Sequence, residues 1–220
     1  MNNCAQCKID YSRKYCKDTE TGVAPKECTT LMHKEELEKA KKEYQEPSIL
    51  EFAKKAAIQE ATCYGHIEGS SATYPTKPRI VEVVEFCHRM GYKKIGLAFC
   101  GGLRKEASIV ESILEKNGFT VVSAICKVGG VDKSFIGVKE EEKICGGGKE
   151  AMCNPIFQAE IMNKEKTEFN ILLGLCVGHD SLFLKYSEAM CTVFAVKDRV
   201  LGHNPLAAIY TIDTYHNYLK

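Results

Sequence analysis

The chain has 220 residues, ample for a buried core without disulfide staples. Hydrophobic residues make up 45% and charged residues 27%, which excludes a mainly disordered chain. Thirty Lys and Arg against twenty-nine Asp and Glu leave a net charge of +1, so no overall field recruits nucleic acid or anionic lipid.

The N-terminus does not read as a secretory signal. Met1-Asn2-Asn3-Cys4 lacks a basic head, and residues 8–20 are too polar for an apolar signal core. Residues 1–32 hold Cys4, Cys7, Cys16 and Cys28 among too few apolar side chains to fold alone, which suits a metal-nucleated module or a tail. Residues 33–76 read as a helical connector. Helix formers fill 33–46 and stop near Pro47; Ser48-Ile49-Leu50-Glu51 then reads as a capping box for a second helix.

Residues 77–220 carry a different pattern. Pro78 opens a helix with Ile80, Val83, Val84 and Cys87 on one face, and Gly91 closes it. Strands are expected at 94–99, 119–125, 169–175 and 192–196, with helices through Ile109–Leu114, 155–165 and 181–187 between them. A last short helix starts near Pro205. Residues 127–153 form an unusually long connection, expected to be a lid or binding loop hinged at glycines, with Glu140-Glu141-Glu142 as a solvated turn. Alternating strands and helices at this spacing mean right-handed βαβ units. The expected fold is α/β: a doubly wound parallel sheet of four strands or slightly more, with helices on both faces, behind the cysteine-rich module. The longest apolar runs, such as Ile171-Leu172-Leu173, are strand-sized and exclude a membrane span. The expected location is therefore the cytoplasm, where thiols stay reduced and twelve cysteines point to ligation rather than disulfides.

Cys100, Cys126 and Cys176 end three successive strands, and the carboxyl edge of an open parallel sheet is where such folds bind ligands. Cys153 precedes a helix whose N-terminus emerges at the same edge. Cys63, Cys87 and Cys191 fit core packing better. Thiolate-only sites select zinc or iron–sulfur clusters, and the glycines of Cys100-Gly101-Gly102 leave room for an inorganic core, so a 4Fe–4S cluster is expected at this edge. Either Cys100 or Cys145 completes a set with Cys126, Cys153 and Cys176. His179, Asp180, Lys197, Arg199 and His203 follow strands at the same edge as candidate acid, base and anion-binding groups. Capping explains Asp180 equally well. At the N-terminus, Cys4-x2-Cys7 is a metal knuckle that Cys16 and Cys28 complete, for zinc or a second iron–sulfur cluster.

Several longer motifs resemble a known family. They are Cys4-Ala5-Gln6-Cys7, Gly91-Tyr92-Lys93-Lys94-Ile95-Gly96-Leu97-Ala98-Phe99-Cys100, Cys126-Lys127-Val128-Gly129-Gly130 and Met152-Cys153-Asn154-Pro155. To these add Gly174-Leu175-Cys176-Val177-Gly178-His179-Asp180-Ser181-Leu182-Phe183 and Lys197-Asp198-Arg199-Val200-Leu201-Gly202-His203-Asn204-Pro205. They are similar to those of an uncharacterised cysteine-rich family of anaerobic archaea and bacteria, domain of unknown function 1847, and the resemblance implies metal binding without an agreed activity. The functional expectation is an iron–sulfur protein whose open cluster iron activates a small anionic substrate, by dehydration or sulfur removal. The alternative is a non-enzymatic protein with structural N-terminal zinc and rim thiols that carry metal or sulfur.

Overall fold

A computed structural model describes residues 4–220. The reading of Met1-Asn2-Asn3 as no signal head lies outside the described residues. The chain divides into two compact units, Met1–Glu60 and Ala61–Lys220, so the boundary falls inside the 33–76 segment.

The first unit begins with short 3-10 turns at Cys4–Gln6 and Tyr11–Arg13. Helices α1 (Thr29–Met32), α2 (Lys34–Glu43) and α3 (Pro47–Ala61) follow, the last running one residue past the unit boundary. The start of α3 differs from the expected capping box. Pro47 occupies the first turn, where its missing N–H costs nothing, and the Glu46 carboxylate accepts from the Ile49 N–H at 3.0 Å.

The second unit opens with an antiparallel hairpin, β1 (Tyr64–His66) and β2 (Thr73–Pro75), which the short apolar content of this stretch did not signal. Helix α4 (Arg79–Met90) ends at Gly91, whose φ of 81° is the left-handed geometry that suits a glycine cap. Then come β3 (Lys94–Phe99), α5 (Arg104–Lys116), β4 (Thr120–Ile125), α6 (Pro155–Lys164), β5 (Phe169–Leu175), α7 (His179–Tyr186), β6 (Cys191–Val196) and α8 (Leu206–Tyr210). The four strands β3 to β6 form one parallel sheet in the order β4-β3-β5-β6. The chain moves outward from β3 to β4 and then crosses back to β5. Right-handed crossovers therefore put α5 on one face and α6 with α7 on the other. The sheet is a doubly wound α/β fold whose winding reverses between β3 and β5.

Every residue of β5 is buried, as expected of a central parallel strand. Ala98, Ala124, Cys126, Ala159, Met162, Leu172, Leu175 and Phe183 form a continuous core beneath α6 and α7. Full burial of a side chain such as Phe183 contributes about 1.5–3 kcal/mol. The buried Asn170 is satisfied, accepting from Thr167 Oγ1 at 2.7 Å and donating to Ser187 Oγ at 2.8 Å. Among the described residues no helix is long and apolar enough to cross a membrane.

The 127–153 connection is not a plain hinged loop. It folds into 3-10 turns at Lys133–Ile136 and Glu140–Glu142, closed by an antiparallel bridge between Asp132 and Ala151. The Lys143 side chain, 3% exposed, reaches Asp132, Glu140 and the Gly148 carbonyl, while Lys133 pairs with Glu150. A long connection without regular strands is thus held by ion pairs, those of the buried Lys143 foremost.

Candidate thiol centre at the carboxyl edge of the sheet

Backbone hydrogen bonds fix where the strand-end thiols stand. The Cys100 N–H donates to Leu173 of β5 at 3.1 Å, and the Cys126 N–H donates to Phe99 of β3 at 2.8 Å. The Asn154 N–H donates to the Cys126 carbonyl at 2.7 Å, which draws the start of α6 to the end of β4. Asn154 also caps α6, its side chain accepting from the Phe157 N–H at 3.2 Å. Cys153 is carried to the same edge as its neighbour. Cys176 directly follows β5, and Cys100 directly follows β3, so these two flank the point where the winding reverses.

The thiols sense one another. Cys126 and Cys153 share a side-chain hydrogen bond, Cys100 also bonds Cys126, and Cys100 and Cys176 both act electrostatically on Cys153. The Cys126 hydrogen bond, assisted by the Lys127 cation against the opposing cost of burial, brings the Cys153 thiol from 9.0 down to about 6. The same bond, with burial, pushes Cys126 up. The Gly101 N–H donates to Cys126 Sγ at 3.3 Å, and the Arg199 guanidinium donates to Cys176 Sγ at 3.1 Å. Cys145 is exposed, its N–H bound to Glu150, whereas Cys100 acts on both Cys126 and Cys153.

The other expected residues fall into distinct places. His179 is half-buried at the start of α7; burial lowers its pKa, with Lys127 and Lys133 adding to that and Cys126 and Asp180 opposing it. Asp180 is not the helix cap: α7 starts at His179, two residues earlier than expected, with Gly178 at the cap, and Asp180 accepts from the Ser181 N–H at 2.8 Å. The Cys176 carbonyl accepts from both His179 and Asp180 N–H groups, tying this helix to the thiol. Lys197 is half-buried beside the end of β5, its N–H bonded to Leu175 at 3.1 Å. His203 adopts φ 68° and closes a turn, Nδ1 accepting from the Asp198 N–H at 3.1 Å. That bond puts the proton of neutral His203 on Nε2.

Sequence reasoning did not single out three contributors. Lys127 follows Cys126 directly and lies near enough to Cys153 to favour its thiolate. The Gly101 N–H was read only as part of a glycine pair. Gln158, fully buried in α6, donates to Ala124 and Phe99 carbonyls at 2.7 and 3.3 Å and so binds together the ends of β4 and β3. Its spacing within an apolar helix face was the available signal.

The donor set is all sulfur, with an amide N–H and cations around it, which is the chemistry of iron–sulfur or zinc ligation. The glycines form a cradle: a Cβ at Gly101 would meet Cys126 Sγ at 4.0 Å, and one at Gly102 would meet Cys100 Sγ at 4.0 Å. Among the described residues no group of three or more His, Cys, Asp or Glu side chains is gathered tightly enough to hold one metal ion. In the first unit, Cys4, Cys7, Cys16 and Cys28 all line one pocket of about 570 Å³. Cys4 Sγ donates to Thr29 Oγ1 at 2.9 Å, and the Leu31 N–H at the start of α1 lowers the Cys28 thiol.

Residues 28–194 match the family described as "Protein of unknown function (DUF1847)". The chain belongs to the DUF1847 family. A curated relative, "Uncharacterized protein MJ0455" of Methanocaldococcus jannaschii, is 46% identical over 210 residues, covering 94% of this chain and 93% of the relative. No solved structure matches the chain. The DUF1847 match contains all four strand-end thiols and, of the N-terminal four, Cys28 alone.

Proposed function

We propose that this DUF1847 protein holds an iron–sulfur cluster of the 4Fe–4S type at the carboxyl edge of its sheet and uses it on a small anionic substrate. Cys126, Cys153 and Cys176 would hold the cluster, with Cys100 as fourth ligand or immediate neighbour. The observation that carries this reading is the mutual interaction of four thiols brought to one edge by three connections, with Cys126 and Cys153 at the two ends of the same one. When bound with one iron free of thiolate, such a cluster supplies a Lewis acid.

The chain's own residues have separable parts in this reading. Cys153 is deprotonated near neutral pH and ready to ligate, since ligation requires the thiolate. Arg199 holds Cys176 in place and offsets its charge. The Gly101 N–H does the same for Cys126. His179, kept neutral by burial, can accept a proton beside Cys126. The four N-terminal thiols would take zinc or a second cluster. A cytoplasmic setting, where thiols stay reduced, suits both centres.

A second reading has one observation in its favour. The lowered Cys153 thiol beside Cys126 would equally serve a protein that carries metal or sulfur without catalysis. Anaerobic purification with iron, sulfide and zinc analysis and a visible spectrum separates the two. Iron and sulfide in matched amounts support the cluster; zinc without iron overturns it.

A further inference from the structure

We propose that Lys197 is the receptor for the carboxylate of a small molecule that reaches the strand-end thiols. The proposal rests on the reading above that this edge takes a small anion, and it names the residue and the anion class.

Lys197 follows β6, and its ammonium lies over two glycines. A Cβ at Gly102 would stand 3.4 Å from Lys197 Nζ, and one at Gly174 would stand 3.9 Å from it. The same Gly102 position is 4.0 Å from Cys100 Sγ, so ammonium and thiol both border the space beside one glycine. Among the described residues no carboxylate pairs with Lys197, although the ion pairs elsewhere in the chain engage Lys133, Lys143 and others. An incoming carboxylate would supply the counter-ion that this half-buried ammonium lacks among the described residues. The neighbouring cations are already engaged: Arg199 with Cys176 Sγ, and Lys127 with the Ala151 carbonyl. Lys197 is the one of these three with no such partner among the described residues. It sits where the winding reverses between β3 and β5, the crevice in which doubly wound sheets bind ligands.

The test compares two alkylating reagents on the full-length chain freed of metal by a chelator. The Cys100 sulfur displaces iodide from either iodoacetate, a carboxylate, or iodoacetamide, its neutral analogue. The ratio of the two rates at Cys100, read by peptide mass spectrometry, cancels the thiolate fraction and reports only attraction for the carboxylate. Lys197→Met is expected to lower the ratio about fivefold, as loss of one nearby charge in water would. Lys197→Arg is expected to retain it. An unchanged ratio in Lys197→Met overturns the proposal; a lysine that only offset thiolate charge would change both rates alike. In the wild-type chain, acetate replacing chloride at equal ionic strength should slow iodoacetate alone. Absence of that selectivity also overturns the proposal, even where Lys197→Met does not fold. Because the ratio is measured without metal, it fails or succeeds independently of the cluster, which metal analysis reads.

Discussion

The Cys126 thiol and the Cys153 sulfur, at the two ends of the connection between β4 and α6, share one hydrogen bond that drives their acidities apart. In the metal-free chain, Cys153 should therefore react with iodoacetamide with a midpoint near pH 6, being reactive above it and quenched below it. Cys126→Ala removes the donor, and burial then raises Cys153 unopposed by that bond. The midpoint should move upward toward the ordinary thiol value of about 8.5. A pH–rate profile of the Cys153 peptide checks this; a midpoint that stays near pH 6 in Cys126→Ala contradicts it.

Gly174 places a kink just before Cys176. Its φ is 68°, and the β5–β6 register shifts between Leu173 and Leu175. A Cβ there would stand 2.0 Å from Leu103 Cδ1. Gly174→Ala combines a left-handed backbone with overpacking and should cost about 1–3 kcal/mol in urea unfolding. Gly101→Ala meets Ile125 Cδ1 at 3.4 Å, an ordinary contact, and should stay within about 0.5 kcal/mol of wild type. Equal unfolding midpoints for wild type and Gly174→Ala would count against this view of the strand end.

Most of the sheet was legible because its signals are local. The run from Lys94 to Phe99 and the run from Phe169 to Leu175 are apolar enough to mark buried strands, and Gly91 marks a helix end. Their strand-end cysteines could be placed on one edge without coordinates, since parallel strands share a direction. What was not legible depends on long-range contacts. The Arg199–Cys176 bond spans 23 positions, and no spacing rule links them. The hairpin of Tyr64–His66 and Thr73–Pro75 is too short and too exposed to carry a periodic pattern. The 127–153 connection looked mobile because its order comes from ion pairs around Lys143, which hydropathy does not register.

That connection should loosen in acid. The Ser134 N–H holds the Asp132 carboxyl low, Lys143 does so for Glu140, and Lys133 for Glu150. Groups lowered in the folded state contribute stability above their unfolded values, about 4, and lose it as the pH falls through the folded ones. Amide exchange in 127–153, corrected for intrinsic rates, should thus be protected at neutral pH and lose protection progressively below about pH 4. Lys143→Met should reduce the protection already at neutral pH, because it leaves Asp132 and Glu140 without their shared cation. Protection that is unchanged by either would contradict the ion-pair origin of this order.

The cluster itself is tested most directly by the metal and sulfide content of anaerobically purified wild type and Cys176→Ala. Cys176 follows the central strand and bonds Arg199, so its loss removes a proposed ligand without disturbing the buried core. The wild type should contain iron and sulfide in equal amounts, with about four irons at the strand-end site. Cys176→Ala should lose that iron and its visible absorption together. Zinc without iron in the wild type, or full iron in Cys176→Ala, would contradict a cluster at this edge.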